Sequence, residues 1–334
     1  MQVCKTVIIG CGNIAGGYDA DAAPDDWPLT HAGAFSAHSG FEVVACCEPD
    51  AEKRQAFQEK WGVPLGVSQL EELETHRLSV DVVSLCSPTA VHTQHLETVL
   101  GWQPKLLFCE KPIALDTHEV EYWVQRYATA GIPFVVNHNR RWAPDICILK
   151  EDFAQQKWGK VHSVSGTYNK GILNNGGHMV DLIHYLLGSM QVIAAGTEVY
   201  DFWPDDPSVP ALLATQDGIP VTLNIAHARD YALFEMQFVT ERGMLRMESG
   251  GMSWSRHKVI DSPDFPGYRT LGRELTQEGR YREAMTCAVD NIYKALTERV
   301  DVPSTGVTAL QAQKVCQQIR QSAQTNPSDS GTSS

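Results

Sequence analysis

The apolar run Leu106-Leu107-Phe108-Cys109 ends in Glu110-Lys111-Pro112. A lysine at the carboxyl end of a parallel strand faces the crevice in which an open α/β sheet binds its ligand, and the proline behind it fixes the backbone there. Lys111 is therefore a candidate reagent. Far upstream, Val7-Ile8-Ile9 leads directly into Gly10-Cys11-Gly12-Asn13-Ile14-Ala15-Gly16. A strand followed by such a turn is the context of a dinucleotide fingerprint, with one glycine for the tight turn, a second for close approach of a pyrophosphate and a third for packing. Gly10, Gly12, Asn13 and Ile14 are its candidate contacts. The next apolar run, Val43–Cys47, ends in Glu48. A carboxylate at that place accepts hydrogen bonds from both hydroxyls of an adenosine ribose and repels a 2′-phosphate, which favours NAD over NADP. At a further strand end, Ser87-Pro88-Thr89-Ala90-Val91-His92 offers small polar groups to the nicotinamide side of such a ligand, or simply caps a helix. Ser87, Pro88, Thr89, His92, Glu110 and Lys111 complete the candidate cofactor contacts.

The elements that must hold these residues follow from periodicity. Short apolar runs at Thr6–Ile9, Val43–Cys47, Val82–Cys86, Leu106–Cys109 and Phe134–Val136 alternate with helical patterns, the mark of βαβ units on a parallel sheet. Asp50 caps a helix that turns Phe57 and Trp61 inward and stops at Gly62, and Asp116 with Glu119 forms a capping box ahead of Val120, Trp123, Val124 and Tyr127. The stretch from Gly16 to Glu48 exceeds the usual spacing of about 20 residues. The acidic, proline-bearing segment within residues 17–30 accounts for the excess as an insertion, either a surface excursion or a lid, before the helix resumes near Thr30-His31. After Val136 alternating runs such as Val161–Tyr168, Val221–Ala226 and Phe234–Val239 predict a largely antiparallel sheet. Helices are expected at 177–187, 284–297 and 309–323. The chain thus reads as a dinucleotide-binding domain over 1–137, a substrate-binding and oligomerisation α/β domain over 138–324, and a disordered tail over 325–334.

Composition narrows the function. A net charge of −13 over 334 residues argues against nucleic acid, whose phosphates need a basic face. None of the nine cysteines makes a CxxC pair or a zinc-like spacing, so no metal is expected and the thiols read as core residues in a reducing compartment. No apolar run approaches the ~18 residues of a membrane span, and the first strand begins too early for a signal peptide, so the expected location is cytoplasmic.

With these pieces in place, the chain resembles the glucose-fructose oxidoreductase, inositol dehydrogenase and MocA (Gfo/Idh/MocA) family. The resemblance rests on GCGNIAG, on Glu48, on SPTAVH, on CEKP, on NHNRRW at 137–142 and on GGHMVDLIHYLLG at 176–188. It implies a Rossmann domain followed by an α/β domain with an open, mainly antiparallel sheet that commonly builds a homodimer or homotetramer. It also implies that Lys111 lies between nicotinamide and substrate, with a cis bond before Pro112. Aligning Asp181–Gly188 with the family's second-domain motif puts the catalytic histidine on His178 and the motif's first acid on Asn174, a departure from the family pattern. Helical geometry agrees with the first of these: His178, Asp181, Leu182 and Tyr185 share one face, and His184 points away. The implied activity is an NAD-dependent oxidation of a secondary alcohol in a sugar, nucleotide sugar or cyclitol. A glycosidase working through transient oxidation and a non-catalytic dinucleotide-binding regulator are the alternatives. Tyr168, Asn174 and Asp181 are candidate substrate contacts. Arg141 is another, unless it serves a carboxylate between domains.

Overall fold

A computed structural model describes residues 3–23, 26–76 and 79–325. The tail expected from 325 onward therefore lies almost wholly outside the described residues.

Six short strands and their crossover helices open the chain: β1 (Cys4–Ile9), α1 (His31–Ala37), β2 (Phe41–Cys47), α2 (Ala51–Trp61), β3 (Leu65–Val67), α3 (Leu70–Thr75), β4 (Val82–Leu85), α4 (His92–Trp102), β5 (Leu106–Cys109), α5 (Thr117–Thr129) and β6 (Phe134–Val136). The strands form one sheet in the order β3-β2-β1-β4-β5-β6, and every pairing is parallel. This is the doubly wound order whose switch point lies between β1 and β4. The strands are apolar almost throughout because helices cover both faces, and two clusters of buried side chains lie on its opposite sides. The caps act as expected. Asp50 accepts from the main-chain N–H groups of Glu52 and Lys53, Gly62 takes the left-handed conformation at φ 64°, and Asp116 accepts from those of His118 and Glu119.

The second series is α6 (Pro144–Ala154), β7 (Val161–Tyr168), α7 (Gly177–Leu187), β8 (Met190–Ala195), β9 (Ala211–Thr215), β10 (Pro220–Ile225), β11 (Phe234–Thr240), β12 (Gly243–Glu248), β13 (Ser253–Asp261), β14 (Arg269–Leu271) and β15 (Leu275–Glu278). Its sheet runs β14-β13-β12-β11-β7-β10-β9-β8, with β15 also paired to β13. The pairings are antiparallel except β7 with β10. Burial alternates residue by residue along β9 to β12, so one face is covered and the other open. Phe153 of α6 packs on Phe238, and Met179 of α7 lies against Gly166, which marks the covered face.

Two helices end the chain, α8 (Ala284–Glu298) and α9 (Gly306–Thr325). Two compact units result: 1–143 with 282–310, and 144–281 with 311–334. The division departs from a single boundary after residue 137. The helical turn 139–142 stays with the first unit, and α8 returns to it. Met285, Ala288, Val289 and Ile292 recur at helical spacing and are buried in the same cluster as Phe35 and Phe41. Seven of the nine cysteines are buried and the other two half-buried, all as free thiols. Among the described residues no helix is long and apolar enough to cross a membrane.

Candidate active site

At the carboxyl ends of β1, β2, β4 and β5 opens a cleft of about 880 Å³, lined by residues of the first unit alone. That volume suits a small-molecule ligand. Gly10 follows β1 at φ +88°, and a side chain there would meet the Ser87 main chain at 2.7 Å, so only glycine fits. A Cβ on Gly12 would meet nothing within 4 Å, leaving an open side for close approach of a ligand. One on Gly16 would strike Phe57 and Trp61 of α2, which makes Gly16 the packing glycine.

The insertion is spliced into the first helix. Gly16 and Gly17 donate to the Gly12 carbonyl and Tyr18 to that of Asn13, which completes one helical turn. The chain then leaves, and on its return His31 donates to the Ile14 carbonyl and Ala32 to that of Ala15. His31 thus fills the place that residue 18 would take in an unbroken helix, which explains the long spacing to Glu48. The buried Asp19 ties the loop down. Its carboxylate accepts from the main-chain N–H groups of Leu29 and Thr30 and from the Thr30 hydroxyl at 2.6 Å. Thr30 in turn caps α1 by accepting from Gly33. Tyr18 lines the cleft and is largely exposed.

Glu48 spans the mouth of the turn. Its Oε2 accepts from the Cys11 N–H at 3.0 Å and its Oε1 from that of Asp50 at 3.1 Å. An ionised carboxylate has about four lone-pair sites, so two remain for a pair of ribose hydroxyls. Ser87, Pro88, Thr89, Glu110 and Lys111 also line the cleft, as do Gly10, Gly12, Asn13 and Ile14. The Lys111–Pro112 peptide is cis. The open Gly12, the spare capacity of Glu48 and the size of the cleft fit a dinucleotide.

His92 does not take the part expected of it. It is fully buried at the start of α4, with Nε2 2.8 Å from the Ser87 carbonyl and Nδ1 3.1 Å from that of Ile113, and its pKa is lowered by burial. It braces the loop from behind. Its neighbour His95, one helical turn on, lines the cleft and meets the Ser87 hydroxyl at 2.9 Å.

In the second unit His178 sits half-buried in the first turn of α7, which a π-helical stretch, Gly171–Gly176, leads into. Asp206 sets that stretch by accepting from the main-chain N–H groups of Leu173 and Asn174, both at 2.9 Å. Asn174, four residues before His178, is likewise half-buried, whereas Asp181 is buried. Tyr168 departs from expectation. It is fully buried at the end of β7, its hydroxyl donating to the Val209 carbonyl and accepting from the Val209 N–H. Position 168 falls on the covered face of its strand, so the phenol cannot turn to a ligand. Arg141, in the first unit, is also buried, and its guanidinium donates to the Pro303 carbonyl at 2.7 Å. Part of its hydrogen-bonding capacity is therefore spent on holding the returning segment. Among the described residues no group of three or more His, Cys, Asp or Glu side chains could hold a metal.

Residues 4–138 match the model of an oxidoreductase family with an NAD-binding Rossmann fold, Gfo/Idh/MocA. That match covers the Rossmann domain, 135 of the 334 residues, and there the chain is similar to the family. It is 22% identical over 303 residues to the inositol 2-dehydrogenase of Rhizobium meliloti, covering 84% of this chain and 89% of that protein. It is 25% identical over 205 residues to the D-glucoside 3-dehydrogenase of Escherichia coli, a match spanning 57% of this chain and only 54% of that relative. A solved oxidoreductase from Agrobacterium radiobacter, in complex with NAD+, L-tartaric acid and magnesium, superposes with a TM-score of 0.77 at 17% identity over 97% of both chains. That likeness shows the fold.

The cleft also draws on residues that periodicity alone does not single out. Lys53 comes from α2, Ser68 and Gln69 from the turn between β3 and α3, and His95 from α4. The signal for Ser68 and Gln69 lay in the capping box that Gln69 forms with Glu72.

Proposed function

We propose that the protein is an NAD-dependent dehydrogenase that moves hydride between a secondary alcohol of a sugar, nucleotide sugar or cyclitol and the nicotinamide ring, with Lys111 and His178 as its catalytic residues. The observation that carries the reading is Lys111 at the end of β5, on the wall of a cleft whose opposite end bears Glu48. Bound NAD supplies the hydride acceptor. Glu48 holds the adenosine ribose, the glycine turn admits the pyrophosphate, and NADP is disfavoured by the Glu48 charge. His178 takes the hydroxyl proton, while the Lys111 ammonium stabilises the negative charge that grows on the same oxygen. Asn174 orients a substrate hydroxyl but supplies no charge to polarise the histidine, so Lys111 bears most of that task. The names of the two relatives, both dehydrogenases of polyols or glycosides, support the substrate class. They favour it over a glycosidase or a regulator.

The test is a screen of myo-inositol, methyl glucosides, free sugars and nucleotide sugars for NADH formation, followed by Lys111→Ala and His178→Ala. Each variant is expected to lose about 100-fold or more in kcat with NAD affinity kept. Near-normal turnover in both would sink the assignment. The open face of the second unit's sheet, with Leu212 and Val239 exposed on it, supports a homodimer or homotetramer formed there. Light scattering that gave a monomer mass would refute it.

A further inference from the structure

Behind the end of β5 lies a buried polar cluster that hydride transfer as described leaves without a task. His31, the first residue of α1, is fully buried against Phe108, with ring centroids 4.6 Å apart. Its Nδ1 is 2.7 Å from the Ser84 hydroxyl on β4, and its Nε2 is 3.0 Å from Glu110 Oε1. Asn137, just past β6, donates to the same Oε1 at 2.7 Å. The other carboxylate oxygen, Oε2, accepts from the main-chain N–H of Lys111 at 3.2 Å. Three separate elements thus converge on one carboxylate, and its free side holds the backbone of the lysine that lines the cleft.

Charge follows geometry. Burial works against a protonated His31, but the adjoining Cys86 and Glu110 outweigh it and raise the imidazole's pKa. Burial likewise works against an ionised Glu110, but His31, Lys111 and the Asn137 amide hold its pKa down. The other titratable groups facing the carboxylate are the Cys109 thiol, which burial pushes well up, and His92, which burial pushes down. Both stay uncharged at neutral pH. The carboxylate thus lies between the His31 ring, whose protonated form these neighbours favour, and the Lys111 ammonium.

We propose that His31 is a positioning residue for Lys111: it clamps Glu110, so that Oε2 fixes the lysine's backbone and the carboxylate divides its charge between imidazolium and ammonium. The inference rests on the reading of Lys111 as catalytic. The insertion serves it, because Asp19 and Thr30 return the chain to the helix at the point where His31 must enter the core.

The decisive experiment uses the whole chain with His31→Gln, His31→Ala and, should either fail to fold, Ser84→Ala, which removes only the partner of Nδ1. The readouts are kcat and KM with the polyol that yields NADH in the screen, the pH profile of kcat, and trace acetylation of Lys111 against pH by mass spectrometry, which needs no substrate. His31→Gln is expected to lower kcat by about ten- to a hundred-fold, since a misplacement of about 1 Å can cost that much. The KM for NAD should hold within about twofold. With no imidazolium, the buried Glu110 takes up a proton more readily and the acid limb of kcat moves to higher pH. Where Glu110 is ionised its charge falls wholly on Lys111, so the acetylation curve moves the same way. Ser84→Ala should shift both curves in that direction by less. Unshifted curves and an unchanged kcat, with only a lower melting temperature, would reduce His31 to a core residue and overturn the inference. Full turnover in Lys111→Ala would instead overturn the catalytic reading, and the acetylation shift in His31→Gln would still be seen.

Discussion

The cofactor cleft of the first unit and the His178 segment of the second are held in contrasting ways. Lys111 stands at the end of a strand in the interior of a parallel sheet, with a buried carboxylate clamped behind it by α1 and the residue after β6, and His31 of α1 held in turn by Ser84 of β4. His178 stands on a helix whose entry is an irregular π-helical turn, and that turn is shaped by a distant loop, Asp206 accepting from Leu173 and Asn174 and the Ser208 hydroxyl from Gly171. An interior strand is rigid because its backbone bonds are shared on both sides, whereas a turn held by a few loop side chains can be retuned by substituting one of them. One region is built to keep a cofactor in a fixed place. On the proposed function, the other is the region that would meet a substrate.

This contrast is open to attack from both sides beyond loss of the catalytic pair itself. Glu48→Ala should weaken NAD by about ten- to a hundred-fold, since it removes ribose hydrogen bonds and the tie to Cys11, each worth on the order of 1 kcal/mol. The preference over NADP should narrow, with the KM for the polyol left alone. Equal affinity for NAD and NADP in the unmutated protein, by fluorescence titration, would break the assignment. Asp206→Ala should do the reverse, raising the KM for the polyol several-fold while NAD binding is untouched. A change in NAD affinity instead would show that the two regions are not independent. The smallest kinetic effect is expected from Tyr168→Phe, which strips two hydrogen bonds from Val209 and should cost about 1–3 kcal/mol of stability in denaturant melts. A large drop in kcat would return that phenol to the substrate's company.

Much of the first region was legible because its chemistry is local. Gly10, Gly12, Glu48, Ser87 and Lys111 each follow an apolar run directly, so strand and ligand side could be read together. β3 was not legible: it is three residues long, and only its last residue, Val67, is buried. The second region resisted for a different reason. Tyr168 ends a strand in which alternation fixes two faces, but nothing in the run says which face is covered. His92 reads as a polar residue beside a cofactor loop, and only the carbonyls of Ser87 and Ile113 on either side of its ring show it to be a brace. The return of α8 to the first unit and the convergence on Glu110 are contacts between residues far apart in sequence, which periodicity does not encode.

The splice in α1 has a wider bearing. Because the Ile14 and Ala15 carbonyls pair with His31 and Ala32 as if nothing lay between, the helix keeps its rotational phase across the gap. Apart from Asp19 and Thr30, which anchor it, the excursion is thus an interchangeable cassette, and its length and content can drift at the rim of the cleft without shifting strand register or the angle of the helix. A lineage, or an engineer, could remodel what greets an incoming ligand there while the chassis beneath stays as it is.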